Sequence, residues 1–128
     1  MKIIIETIPH DQHRYSTVGD WHKDPDGTLR VKVSDMGNDK YALLVGLHEV
    51  IEQALCNERG ITDEQVTAFD NKFEVEREDG EHTDMDEAGD DPRAPYRKEH
   101  FFATNIERLL AAELGVDWKQ YDKTVMEP

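Results

Sequence analysis

The chain has 128 residues, the size of one domain (1–128), and carries 29 Asp and Glu against 15 Lys and Arg, a formal charge of -14. A field of that sign repels phosphates, which excludes nucleic acid and anionic membrane surfaces and leaves a small molecule, a cation or a basic host protein as partner. A single cysteine, Cys56, excludes an internal disulfide and a Cys-rich zinc finger; with no long apolar run and no signal-like start, the expected setting is the cytoplasm.

Residues 2–8 are short and rich in β-branched side chains, which predicts a strand ended by Pro9. Segments 15–23 and 28–34 flank the turn-forming Asp24-Pro25-Asp26-Gly27, and Leu29, Val31 and Val33 alternate with Arg30 and Lys32. A hairpin with one wet face follows, and with it a three-stranded antiparallel sheet.

Over residues 40–57, Tyr41, Leu44, Leu47, Ile51 and Leu55 recur at helical spacing, and Gly60 supplies a stop. Thr62-Asp63-Glu64-Gln65 has capping-box form and opens a second helix to about residue 76, with Val66, Phe69 and Phe73 on one stripe. Residues 77–95 hold eight acids, two glycines and two prolines and predict a long acidic, solvated loop. A third helix over 96–114 and a short one opened by Asp117 complete an α+β chain: small antiparallel sheet, three main helices and a short C-terminal helix.

At about 100° per residue, His48 falls within the apolar stripe of the first long helix and Glu52 on its shoulder, so the two project from one face. On the third helix His100 and Glu107 share a face about two turns apart, and Asp70 flanks the stripe of the second helix. Buried imidazoles and carboxylates cost several kcal/mol unless paired or metal-bound. His48, Glu52 and His100 therefore make a candidate ligand set for a divalent ion, zinc first, with manganese or iron as alternatives. Glu49 is the candidate general base, and Glu107 and Asp70 are candidates to orient an imidazole or to act as additional ligands. The same residues also fit a metal-free polar network linking the helices. His10, His13 and His22 near the hairpin are not assigned to the site.

The run His48-Glu49-Val50-Ile51-Glu52 resembles the zincin helix motif H-E-x-x-H, with Glu52 where that motif has its second histidine. The small sheet before the helix is similar to the minimal zincin half. That resemblance implies a zinc-dependent hydrolase with Glu49 as base. A wider likeness covers residues 47–52, Gly60-Ile61-Thr62, Phe69-Asp70, Gly89-Asp90-Asp91-Pro92, Ala94-Pro95-Tyr96, residues 100–107 and Gly115-Val116-Asp117-Trp118. In these segments the chain resembles small acidic proteins of phages and prophages, which implies a host cytoplasm and a role against host defence or in phage metabolism. The alternative to a hydrolase is a non-enzymatic inhibitor or sequestering protein whose acids, Asp84, Asp86, Asp90 and Asp91 among them, engage a basic host protein.

Overall fold

In the computed structural model, which describes residues 1–128, the chain folds as α+β, three strands followed by four helices. Strands β1 (Ile3–Ile8), β2 (Gly19–Lys23) and β3 (Leu29–Ser34) form one sheet in the order β1-β3-β2. The sheet is mixed, which corrects the antiparallel expectation. β2 and β3 make the expected hairpin with Trp21 opposite Val31, but β1 runs parallel to β3 with Ile5 opposite Val31.

Alternation of apolar side chains identifies the dry face of a strand and is the same for either sense of pairing, so the pattern of β1 carries no direction. The connection sets it. Residues 9–18 cross the end of β3 and start β2 where β1 finished, a gap of about 10 Å for two strand spacings and well within reach of ten residues. Two bonds of 2.8 Å pin the crossing, from the Ser34 N–H to the Val18 carbonyl and from the Asp35 N–H to the Ile8 carbonyl.

Central strand β3 buries Val31 and Val33 completely, a contribution of roughly 1.5–3 kcal/mol each. Arg30 alternates to the other face and pairs with Asp24 at 2.6 Å. The dry face is covered by α1 (Asp39–Glu58), which Asn38 caps by accepting from the N–H groups of Lys40 and Tyr41. Gly46 brings the helix close, since a Cβ there would stand 2.7 Å from Ile5 Cγ2.

Helix α2 (Asp63–Glu78) opens on the expected capping box between Thr62 and Gln65 and buries Val66, Phe69 and Phe73. Helix α3 (Arg97–Glu113) lies along α1, its Ala103 and Ala111 fully buried at the approach. Helix α4 (Trp118–Met126), capped by Asp117, buries Tyr121 in edge contact with Tyr41. No helix is long and apolar enough to cross a membrane.

Helix α2 takes in residues 77 and 78, and the rest of the acidic segment, 79–95, is a loop as its composition predicts, but an anchored one. Arg77 donates to the carbonyls of Thr83 and Asp86, and Arg93 bridges Glu76 and Asp91. His82 bonds Glu76 at 3.0 Å and stacks on Phe73 with ring centroids 4.0 Å apart. These three side chains tie the loop to α2, and a short 3-10 turn within it, Ala88–Asp90, packs against α3.

Candidate metal centre

His48 and Glu52 stand one turn apart on α1, and His100 stands in the first turn of α3, where the close packing of the two helices brings all three together in the interior. His48 Nε2 lies 3.1 Å from Glu52 Oε2 and 3.2 Å from His100 Nδ1, and His100 Nδ1 lies 3.0 Å from the same Glu52 oxygen. Three potential ligand atoms thus form a nearly equilateral triangle. They lie close enough to hold a metal ion.

Each ring is also held from behind. His48 Nδ1 faces Glu107 Oε1 at 2.7 Å, and the other oxygen of Glu107 accepts from the Tyr121 hydroxyl on α4. His100 Nε2 faces Asp90 Oδ1 at 3.1 Å, with Glu87 Oε2 at 3.3 Å. Gly89 lies flat against this second ring: a Cβ there would come within 2.5 Å of His100 Cγ and Nδ1. With both outer nitrogens donating N–H to carboxylates, neutral imidazoles would turn their inner lone pairs toward Glu52. Three electron-rich atoms about 3 Å apart repel one another, and either protons on the imidazoles or a cation at their common centre relieves that repulsion.

The electrostatics follow from these contacts. Burial acts to depress the His48 imidazolium, but the hydrogen bonds to Glu107 and Glu52 outweigh it and raise this group to about 10. His100 is raised to about 12 in the same way, burial being outweighed by Asp90, Glu52 and Glu87. Glu52 is pulled down to about 2, because the two imidazoles bonded to it outweigh the upward effect of burial.

Glu49 points into a neighbouring space that Gly19 leaves open; a Cβ on Gly19 would stand 2.8 Å from Glu49 Oε1. Its carboxyl makes no hydrogen bond or ion pair, and burial, reinforced by the charge of Glu52, pushes its pKa well up. The space is a cleft of about 730 Å³ between the segment 10–23, α1, α2, the loop at 84–90 and the last two helices. Triad and Glu49 both line it.

The other expectations distribute as follows. Glu107 orients His48 from behind and is not one of the converging atoms, because two turns along α3 carry it past the triangle to the far side of the ring. Asp70 lines the cleft but orients no imidazole; its Oδ1 accepts from the Tyr96 hydroxyl. His10 bonds Ser34 Oγ at 2.8 Å, His22 lies 3.5 Å from Asp24, and neither they nor His13 joins the triad. Cys56 is 1% exposed and burial pushes its thiol up to about 12, so it is a packing residue.

Sequence patterning missed Asp90, Glu87, Gly89 and Tyr121. The first three sit in a loop with no period to place them, and Tyr121 gave only a docking signal on its helix. Comparison of the chain with family models, with curated proteins and with solved structures returned no match.

Proposed function

We propose that this chain is a divalent-metal protein and a metal-dependent hydrolase, with zinc as the first choice of ion. In this reading His48 Nε2, His100 Nδ1 and Glu52 Oε2 hold the ion and Glu49 manages the proton. One observation carries it: two imidazoles whose outer N–H groups are tied to carboxylates aim their inner nitrogens at a common point beside a third carboxylate. Two imidazoles, each fixed by an outer partner, and a carboxylate are the donors that zinc, iron and manganese accept, and three protein ligands leave a position for water or substrate.

The size is suitable. Edges of 3.0, 3.1 and 3.2 Å between His48 Nε2, Glu52 Oε2 and His100 Nδ1 would let one small divalent ion reach all three atoms. A divalent ion there would polarise a carbonyl or phosphoryl oxygen and make a coordinated water more acidic.

The chain's own residues supply the rest. Glu107 and Asp90 fix the tautomers and orientations of the two imidazoles, and Tyr121 fixes Glu107. Glu49, unpaired and with its pKa raised by burial, suits taking a proton from water in the cleft and returning it to a leaving group.

Metal analysis of tag-free protein after zinc reconstitution is expected to give about one ion per chain, lost in His48→Ala and His100→Ala. Fewer than about 0.1 ions per chain would leave the metal-free network as the reading. Glu49→Gln is expected to retain the ion while abolishing hydrolysis of any substrate the loaded protein cleaves.

A further inference from the structure

The cleft beside the triad has an unusual charge pattern. Among its lining residues thirteen are Asp or Glu and three are Lys or Arg. Two of the three bases are engaged, Arg14 forking onto Asp20 at 2.5 and 3.1 Å and Arg77 taken by Glu74 and two loop carbonyls, and the third, Lys23, is exposed at the end of β2. Several of the acids are also accounted for, the buried Glu52 and half-buried Glu107 by His48 and His100 or Tyr121, and the exposed Asp90 by His100.

Among the lining acids that are not exposed, two carboxyls remain without a cation, Glu49 on the α1 wall and Asp70 on the α2 wall. Glu49 has a use in the proposed chemistry. Asp70 has none: it is partly buried, one oxygen accepts from Tyr96, the other makes no hydrogen bond, and no ion pair reaches it. Burial, with the negative charge of Glu52 adding to it, raises this carboxyl to about 7. Holding an unpaired carboxyl in such a place is costly to the fold, and an incoming cation would remove the cost.

We infer that the substrate of this cleft carries an ammonium or guanidinium group that docks on Asp70 of α2 while its reacting bond lies over the His48–Glu52–His100 triad of the facing helices. The inference rests on the hydrolase reading for its second half only. A basic side chain or a primary amine fits both the acid excess of the walls and the free oxygen of Asp70; an anionic substrate would meet the uncompensated Glu49 and Asp70 on the α1 and α2 walls. Asp70 is thus a specificity residue. The rival account is a carboxyl that serves only as a structural acceptor for Tyr96.

The test uses the full chain, with and without zinc, at about pH 8, where Asp70 is largely ionised, and two capped amino acids of equal length as probes: N-acetyl-lysine methylamide and N-acetyl-norleucine methylamide. Binding is followed by NMR chemical-shift titration. The lysine compound is expected to bind at least about tenfold more tightly, equivalent to about 1.4 kcal/mol. Asp70→Asn is expected to abolish that preference while zinc stoichiometry and the circular dichroism spectrum stay unchanged. Tyr96→Phe, which keeps the carboxylate, is expected to preserve it.

Equal binding of the two compounds, no binding of either at about 10 mM, or a preference that survives Asp70→Asn would overturn the inference. Zinc uptake measured on the same samples separates the two claims. A chain that discriminates the lysine compound through Asp70 but takes up no zinc retains the cation site and loses the hydrolase reading; one that binds zinc without discriminating loses only the cation site.

Discussion

Gly89→Ala tests the geometry of the centre with a single methyl group. The backbone itself tolerates alanine, since Gly89 is not among the glycines with positive φ. In a residue free of contacts the change should stabilise the fold by about 0.4–1 kcal/mol through the unfolded chain. Here the added Cβ would stand 2.5 Å from His100 Cγ and Nδ1 and 2.9 Å from Cδ2. Ordinary contact needs roughly 3.5–4.0 Å, so the ring must retreat by about 1 Å. Overpacking of that kind costs about 1–3 kcal/mol, and a metal bond tolerates a displacement of only about 0.2 Å.

The expected result is a metal-free fold weakened by about 1–3 kcal/mol and zinc affinity reduced at least tenfold. Urea denaturation and calorimetric titration measure the two. The decisive control is the same substitution in a His100→Ala background, where the ring is gone. There the alanine is expected to be neutral or stabilising, giving a coupling of about 2 kcal/mol or more between positions 89 and 100. An equal cost in both backgrounds would refute the contact and with it the claim that the 3-10 turn sets the position of His100.

Three other outcomes are expected. Glu107→Ala should weaken zinc binding by about ten- to a hundredfold, because the His48 ring loses its outer partner; unchanged affinity in a titration would reject that positioning role. The metal-free chain should lose stability between pH 6.5 and about 10. The imidazolium of His48, raised from 6.5 to about 10, stabilises the fold fully below the lower value and not above the higher, and Asp70, raised from 3.8 to about 7, opposes folding once ionised. Zinc competes with the imidazole protons, so its affinity should rise over the same range; denaturation curves near pH 6 and pH 9 with and without chelator check both, and a metal-free chain more stable at the higher pH contradicts the assignment. Cys56 should be inert to a thiol reagent in the folded protein and react once denaturant is added, because its thiol is buried and its pKa is raised to about 12; rapid native labelling would contradict its burial.

Helical periodicity carried most of what could be read beforehand about the centre. His48 and Glu52 one turn apart, and His100 with Glu107 on one stripe, are angular facts, and the structure brings these faces together. Periodicity gives the angle around a helix but not the height at which a neighbour meets it. Glu107 therefore shares a face with His100 yet ends behind the ring of His48, and Asp70 on its shoulder meets Tyr96 instead of an imidazole. The same limit explains β1, whose face was readable and whose direction was set by how residues 9–18 cross the sheet. Loop residues have no period at all, so nothing in the pattern connected Asp90 or Gly89 with a histidine ten or eleven positions later.

The three residues of the triangle come from distant parts of the chain. His48 and His100 are 52 positions apart, and the exposed Gly80-Glu81 lies between them. A chain divided at that point would carry His48, Glu52 and the sheet on one fragment, and Asp90, His100, Glu107 and Tyr121 on the other. Neither fragment alone would present more than one imidazole of the triangle. A divalent ion would then act as a clasp between two polypeptides, so the split chain would become a reporter in which fragment reassociation reads out the metal.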